Sequence, residues 1–419
     1  MAEPTPPSVT VVTERYSAWG GGHERSTSQI VAELCARGHA VTVLSAAGGE
    51  LRAGPAGERG EHGEAIRSMG MTTLRGALDV VRFARWVERE LASVGSDVSL
   101  SMTTAASADV VQPRGGTVVE TMARNRAIRR TAAGRLLKRT TQALLPKQVA
   151  LARAERRTLT HPRLRRVLAV SGYVARQLDE HYGLADDRVV TIPNAAVVAP
   201  MSDDERVALR RRVRAAWGVD EQEVAFLFAA TNPRLKGLGT LIEATRALAQ
   251  QHPGAWRVWL VGASRHAIYE GVRRLGLQDR AIVMGATREM DALYAAADVV
   301  VLPTHYDPSS KVVIEGLMAG LPGITTAYNG AADFLTPGDQ RPDRGVVIAD
   351  PSDAAALTDA MAAMLDPDRR RAFARAIDPG LADSLSMTRH VDRLAEQLAL
   401  VAAEKRYPNA PTETQSRST

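Results

Sequence analysis

Cysteine is almost absent: the 419 residues include one, Cys35, which excludes an intramolecular disulfide framework and makes a reducing compartment the natural setting. That residue follows Leu34 in a helical pattern, where a small buried hydrophobe would serve. No stretch reaches the about 18 apolar residues a membrane span needs, and the N-terminus has no basic segment followed by an apolar run. The expectation is therefore a cytoplasmic protein, soluble or peripheral at the inner face of the plasma membrane. No short-period repeat is visible. The one Asp-x-Asp, Asp366-Pro367-Asp368, lies between helical patterns far from any strand end and reads as a turn, so no metal site is predicted.

With 45% hydrophobic and 24% charged residues the chain falls in the globular range. Only the Pro-rich stretch Glu3 to Ser8 and the polar tail after Tyr407 read as frayed ends. The length exceeds one ordinary core, and the element pattern divides it. The run VTVVTE from Val9 is a buried-type strand; Gly20, Gly21 and Gly22 lead into a helical pattern from Ser26 to Leu34, Gly38 stops it, and Ala40 to Ser45 is a second strand. Further along come a helix over Leu78 to Val94, an apolar stretch near Val98, a strand at Val167 to Ser171, a helix over Tyr173 to Tyr182 and a strand at Val189 to Asn194. After an acidic helix running to Trp217, a second alternation has strands at Val224–Ala230, Trp256–Gly262, Ala281–Gly285, Val299–Thr304, Gly323–Ala327 and Gly345–Asp350. Apolar strands alternating with helices indicate parallel sheets covered on both faces. The predicted class is α/β, as two doubly wound units: residues 1–195, residues 196–386, and a C-terminal helix and tail over 387–419.

The net charge of +6 is unevenly spread: from Arg124 to Arg166 the one acid is Glu155. Ile128, Leu136, Leu137, Leu144, Leu145 and Leu151 interleave with the cations, which fits an amphipathic basic helix on anionic lipid or a solvated face whose Arg stems cover the core. Nucleic acid is disfavoured, because the stretch has no aromatic residue to stack a base.

Ligands of open parallel sheets bind at the carboxyl ends of the strands, where helix N-termini favour anions. Four loops qualify. Gly20 to Arg25 either lets a backbone approach a ligand closely or only makes a tight turn. In PRLKG, Arg234 and Lys236 follow a strand and suit a diphosphate, or form a solvated basic turn. In VVVLPTHYDPSSKVVIEGLMAGLP, Asp307 lies outside a helix that Ser309 and Ser310 can cap, and Glu315 sits two turns inside it. The N–H groups near Ser310 and Lys311 would meet a diphosphate. Glu315, beside Val312, Val313 and Ile314, needs hydrogen-bond partners that ribose hydroxyls provide; Asp307 alone is also explained by the helix dipole. The fourth loop, DVVQPRGG, offers Asp109 and Arg114, or is an ordinary surface loop.

At these residues the chain resembles the retaining GT-B glycosyltransferases of the sucrose-synthase and mannosyltransferase group, family 4 type, including the lipopolysaccharide core glucosyltransferase I kind. The shared features are an acid, seven intervening residues and then a Glu (Asp307 and Glu315), with a small-residue turn after it. GGGHER, ARGHAVTVLS, VSGYVARQL with TIPN, PRLKG, LVG, LYAAADVVVLPT and TTAYNGAADFL also recur in the family's order. Asp307 stands where the family usually has Glu, and Ser309-Ser310 replace its Phe-Gly step.

The resemblance implies two Rossmann-like domains facing across a cleft, and a C-terminal helix crossing back to the first. It implies a nucleoside diphosphate sugar, such as a UDP-sugar, as co-substrate without a further cofactor or metal. A hexose would pass to a saccharide or lipid-linked acceptor in cell-envelope polysaccharide, lipopolysaccharide or glycolipid synthesis. Lys236 and Arg234 would bind the diphosphate, Glu315 the ribose and Asp307 the sugar hydroxyls; Gly21 and Gly22 would approach the donor, and Asp109 or Arg114 would lie near the sugar. A GT-B epimerase or phosphorylase, or a non-catalytic module binding a polyanion or membrane, are the rivals.

Overall fold

Apolar, β-branched runs bounded by glycine and polar turns make the strands of two parallel sheets, each buried on both faces by helices. The computed structural model describes residues 5–17, 22–48, 58–71, 73–129, 131–184, 187–198, 200–262, 265–338 and 341–407. In the first unit β1 (Val9–Tyr16), β2 (Val41–Gly48), β3 (Glu58–Arg59), β4 (Ala65–Ser68), β5 (Val98–Ser101), β6 (Val110–Val111), β7 (Arg166–Ala169) and β8 (Val189–Thr191) lie in the order β3-β4-β2-β1-β5-β6-β7-β8. All neighbours are parallel except β3 and β4. The second unit has β9 (Val224–Ala230), β10 (Trp256–Gly262), β11 (Ala281–Gly285), β12 (Val299–Leu302), β13 (Gly323–Thr326) and β14 (Gly345–Ile348) in the wholly parallel order β11-β10-β9-β12-β13-β14. Each sheet reverses its winding beside its first strand, at β1/β5 and β9/β12, and the loops leaving these strands become the site.

Three short strands escape the sequence pattern. The β3–β4 hairpin is polar, and β6 is two residues long within what reads as a loop. The basic region is also three helices, Val118–Ala127, Ala132–Leu144 and Pro146–Leu159. Thr131 starts the second by accepting from Gly134 N at 3.1 Å, and Pro146, without an N–H, fits only the first turn of the third.

The chain crosses between the units twice, side by side. Ile192 packs in the first core and Ala196 in the second, and Ala196 N donates to Leu385 O at 3.1 Å where the chain returns. Helix Met387–Arg406 then lies on the first unit, with Val391, Leu394, Leu398 and Val401 packed among Val9, Ile30 and Leu100. Ion pairs Arg37–Asp392, Arg166–Glu404 and Lys405–Asp109 fasten it.

Candidate active site

Two loops, one after β9 and one after β12, interlock to form the floor of the cleft. Gly237 makes this possible: its φ is +82°, and a Cβ there would lie 1.8 Å from the Pro303 carbonyl oxygen. His305 N donates to Leu235 O at 2.9 Å, so the two loops share a backbone hydrogen bond. Lys236 is thereby aimed at Asp307, with Nζ donating to Oδ2 at 2.6 Å and to Tyr306 O at 3.1 Å. Asp307 is itself fixed through its main chain, which donates to Tyr328 O and accepts from Gly330 N, both at 2.9 Å.

Asn329 sets where the next helix begins. Its Oδ1 accepts from Ser310 N at 3.2 Å and Ala331 N at 3.0 Å, holding the chain extended until helix Lys311–Met318 starts. Two expectations are corrected here. Ser310 occupies the cap position without a side-chain cap bond, and its N–H is already engaged by Asn329. Glu315 is one turn inside the helix, not two, because the helix starts at Lys311. That places Lys311 and Glu315 four apart on the same face.

Glu315 is half-buried and accepts from Tyr294 Oη at 2.7 Å. Burial raises its carboxyl above the usual range, against the Tyr294 hydrogen bond and the Lys311 charge. Lys311 is pushed down to about 8, first by burial and then by the Arg114 guanidinium facing it from the first unit. Arg114 is only 3% exposed. Its Nη2 donates to Ser26 Oγ at 2.6 Å, Nε and Nη1 have no partner, and burial lowers it to about 10.

These groups line a cavity of about 630 Å³ between the units, reached by Arg114, Lys236, Asp307, Ser310, Lys311 and Glu315 together. A second cavity of about 580 Å³ lies in the first unit, walled by Glu14, Arg15, Thr103, Asn125, Lys138 and Gln142. Arg114, Gly115 and Thr121 line both cavities, which therefore meet. Direct contacts brace the units beside this junction: Ser171 Oγ donates to Pro308 O at 2.6 Å, Tyr306 Oη to Gln177 Oε1 at 3.2 Å, and Arg124 lies 4.0 Å over the Tyr328 ring. Gly116, at φ +70°, passes so close that a Cβ would lie 1.9 Å from Tyr306 Oη.

Not every expected residue comes to the cavity. Arg234 shares its loop with Lys236 but is exposed and absent from the lining. Asp109 precedes β6 at the end of the sheet away from the cleft, where it accepts from Ser99 N at 2.9 Å, Ser99 Oγ at 2.7 Å and Lys405 Nζ at 2.9 Å. Its place near a sugar is therefore corrected to a clamp on the C-terminal helix. Gly22 opens helix Gly22–Ala36, and Gly21 lies outside the described residues. Tyr294 and Asn329 were not singled out by the sequence; their only signal was membership of LYAAAD and AYNG. Asp366 accepts from Asp368 N at 2.9 Å as a helix cap. Among the described residues no three His, Cys, Asp or Glu side chains gather as a metal cluster, and no helix is long and apolar enough to cross a membrane.

Two family models match the chain: Glycosyltransferase Family 4 over residues 20–198 and Glycosyl transferases group 1 over 222–367. A D-inositol 3-phosphate glycosyltransferase of Geodermatophilus obscurus is 29% identical over 253 residues, 57% of this chain and 53% of that one. The lipopolysaccharide glucosyltransferase WaaG of Escherichia coli is 24% identical over 199 residues, 47% of this chain and 52% of WaaG. These alignments span about half the length of the curated relatives. In structure, WaaG superposes with a TM-score of 0.72 at 19% identity, covering 93% of this chain and 99% of WaaG. Anabaena HepE in complex with UDP-glucose superposes with a TM-score of 0.65 at 16% identity, covering 94% of this chain and 100% of HepE.

Proposed function

The chain belongs to the GT-B glycosyltransferases, and from that premise we propose that it moves a sugar, a hexose, from a nucleoside diphosphate sugar to an acceptor hydroxyl with retention at the anomeric carbon. The observation that carries the proposal is the cross-cleft cluster of Arg114, Lys311 and Lys236 around a cavity that also holds Asp307 and Glu315. A buried Arg114 facing the half-buried Lys311 costs free energy that an anion between them would offset, and Arg114 keeps two N–H-bearing nitrogens without partners. A diphosphate supplies the missing charge and acceptors, aided by the first N–H groups of helix Lys311–Met318. HepE, solved with UDP-glucose on a similar fold, favours a UDP-sugar.

In this reading Glu315 accepts from the ribose hydroxyls, with Tyr294 fixing its orientation. Asp307, braced by Lys236, accepts from hydroxyls of the transferred sugar. The acceptor occupies the adjoining cavity and reaches the anomeric carbon at the Arg114–Gly115–Thr121 junction. The bond from the anomeric carbon to the β-phosphate oxygen breaks as the bond to the acceptor oxygen forms on the same face, and the acceptor proton passes to the departing phosphate. Arg114, Lys311 and Lys236 stabilise the charge that grows on that phosphate, so no divalent ion is required. The cell-envelope role and a cytoplasmic setting belong to the same proposal, the latter favoured by the single cysteine.

A thermal-shift panel of nucleoside diphosphates and their sugars tests the donor, since a ligand of the native state alone raises the melting point. UDP or another member must raise it, and Lys311→Met must reduce the rise. No response to any member defeats the proposal. Loss of transfer on adding EDTA would defeat its metal-free part.

A further inference from the structure

Five of the ten buried side-chain nitrogens and oxygens without a partner among the described residues belong to four side chains: Nε and Nη1 of Arg114, Oδ1 of Asn194, Oγ of Ser309 and Nε2 of His390. These residues are far apart in sequence and meet where the chain crosses between the units. Asn194 lies on the outgoing crossing and donates through Nδ2 to Ser309 O at 3.4 Å. His390 lies on the returning one, at the start of helix Met387–Arg406, with Nδ1 at 2.7 Å from the carbonyl oxygen of Pro193, the neighbour of Asn194. Arg114, Asn194 and Ser309 line the cleft cavity together. None of the four is more than 5% exposed. Buried polar atoms are ordinarily paired, so a concentration of orphans at one point of the fold calls for a reason.

His390 supplies it. A carbonyl oxygen can only accept, so Nδ1 carries the proton that it donates to Pro193 O. Burial, and after it the Arg114 charge, lower the ring to about 4, so it is neutral near pH 7 and Nε2 is a bare lone pair. Arg114 acts on this ring more strongly than Lys311 or Arg393 does. Two donors of Arg114 and one acceptor of His390 thus share a buried polar neighbourhood without bonding directly. A single ordered water serves both, with Asn194 Oδ1 and Ser309 Oγ as its further partners.

We propose that His390 is a positioning residue for donor binding: through an ordered water its Nε2 holds one free nitrogen of Arg114 and so turns the other toward the diphosphate. One imidazole then ties the crossing at Pro193 to the guanidinium in the cleft. The inference rests on the glycosyltransferase reading, in which Arg114 meets the diphosphate.

Two variants separate the two ring nitrogens. In His390→Asn the amide nitrogen replaces Nδ1 and keeps a donor for Pro193 O, while the lone pair of Nε2 is lost. In His390→Gln the amide oxygen reaches the place of Nε2, and the Pro193 bond is lost. Isothermal titration with UDP, and with inorganic pyrophosphate so that the base does not matter, is read beside a thermal melt. His390→Asn should weaken both ligands roughly tenfold with little change in melting point, whereas His390→Gln should melt lower and bind within about threefold of the unaltered chain. Added to Arg114→Met, His390→Asn should cost no further affinity, because the residue it acts through is gone. A crystal structure with UDP should show a water within about 3.2 Å of both His390 Nε2 and an Arg114 nitrogen. Unchanged affinity in His390→Asn, or an equal loss in the Arg114→Met background, overturns the inference and leaves His390 a buried core histidine. Should His390→Asn fail to fold, His390→Gln decides: full binding supports the inference and a tenfold loss overturns it. If the unaltered chain binds neither UDP nor pyrophosphate, the transferase proposal falls and this inference with it; if it binds both and the His390 variants match it, this inference alone falls.

Discussion

Replacing Arg114 by Met should weaken nucleotide binding and leave the empty protein as stable as before, or more so. Arg114 is a fully buried cation whose folded-state pKa is depressed to about 10 by burial, so its charged form is penalised by folding. Its one hydrogen-bond partner is the neutral Ser26 hydroxyl. Met fills similar volume without a charge, and exchanging an unbalanced buried charge for an apolar group is neutral to stabilising, by about 1–4 kcal/mol. Against this stands the loss of the Ser26 hydrogen bond, about 1 kcal/mol. The net expectation is a melting point unchanged or raised by a few degrees. Binding moves the opposite way. Each orphaned nitrogen that donates to a phosphate oxygen contributes about 1.5–3 kcal/mol, and at about 1.4 kcal/mol per tenfold UDP affinity should drop roughly 10- to 100-fold or more. Isothermal titration of UDP and a thermal melt without ligand read the two effects separately. A fall of many degrees with unchanged UDP affinity would refute the reasoning, because it would make Arg114 a structural residue.

Three further outcomes are expected. UDP affinity should be flat below about pH 8 and fall as pH rises above it, because unliganded Lys311 loses its proton through about 8 while a bound diphosphate holds that proton on; titration across this range in the unaltered chain and in Lys311→Met, which should lack the slope, checks it. Between about 8 and the ordinary 10.5 the unfolded chain binds the proton that the folded one gives up, so this group makes unliganded stability rise with pH there. Glu315→Gln should cost roughly tenfold in UDP affinity, the scale of a charge-assisted hydrogen bond, yet leave inorganic pyrophosphate binding unchanged in competition assays. Gly237→Ala, forced to φ +82° against the Pro303 carbonyl, should destabilise by about 1–3 kcal/mol in thermal unfolding and detach Lys236 from Asp307.

Which parts of this architecture the sequence discloses follows from where the determining interactions lie. Strands such as β9 and β12 are apolar throughout because helices cover both faces, and that is a local pattern. The pair Val110–Val111 is a strand only because β5 and β7 flank it, and nothing within two residues can announce a neighbour. The three-way division of the basic region is visible after the fact in Thr131 and Pro146. It was masked by the more conspicuous run of Arg and Leu.

The cavity divides along the same line. Lys236, Ser310, Lys311, Asp307 and Glu315 were legible because each follows a parallel strand, where topology alone brings loops together. Arg234 misled because position on a loop does not say which way a side chain turns; Lys236 is the one drawn inward, by Asp307. The helix start is not legible in the local sequence because Asn329, from a different loop, decides it. Arg114 is the instructive case. Its sequence setting, QPRGG, looks like a surface turn, and its significance appears only when Lys311 is brought against it from the other unit. A cation made costly by a second cation across a cleft is a property of the closed pair. Such a pair favours an open cleft until an anion enters, so the two residues proposed to bind the diphosphate would also supply a reason for closure to wait on it.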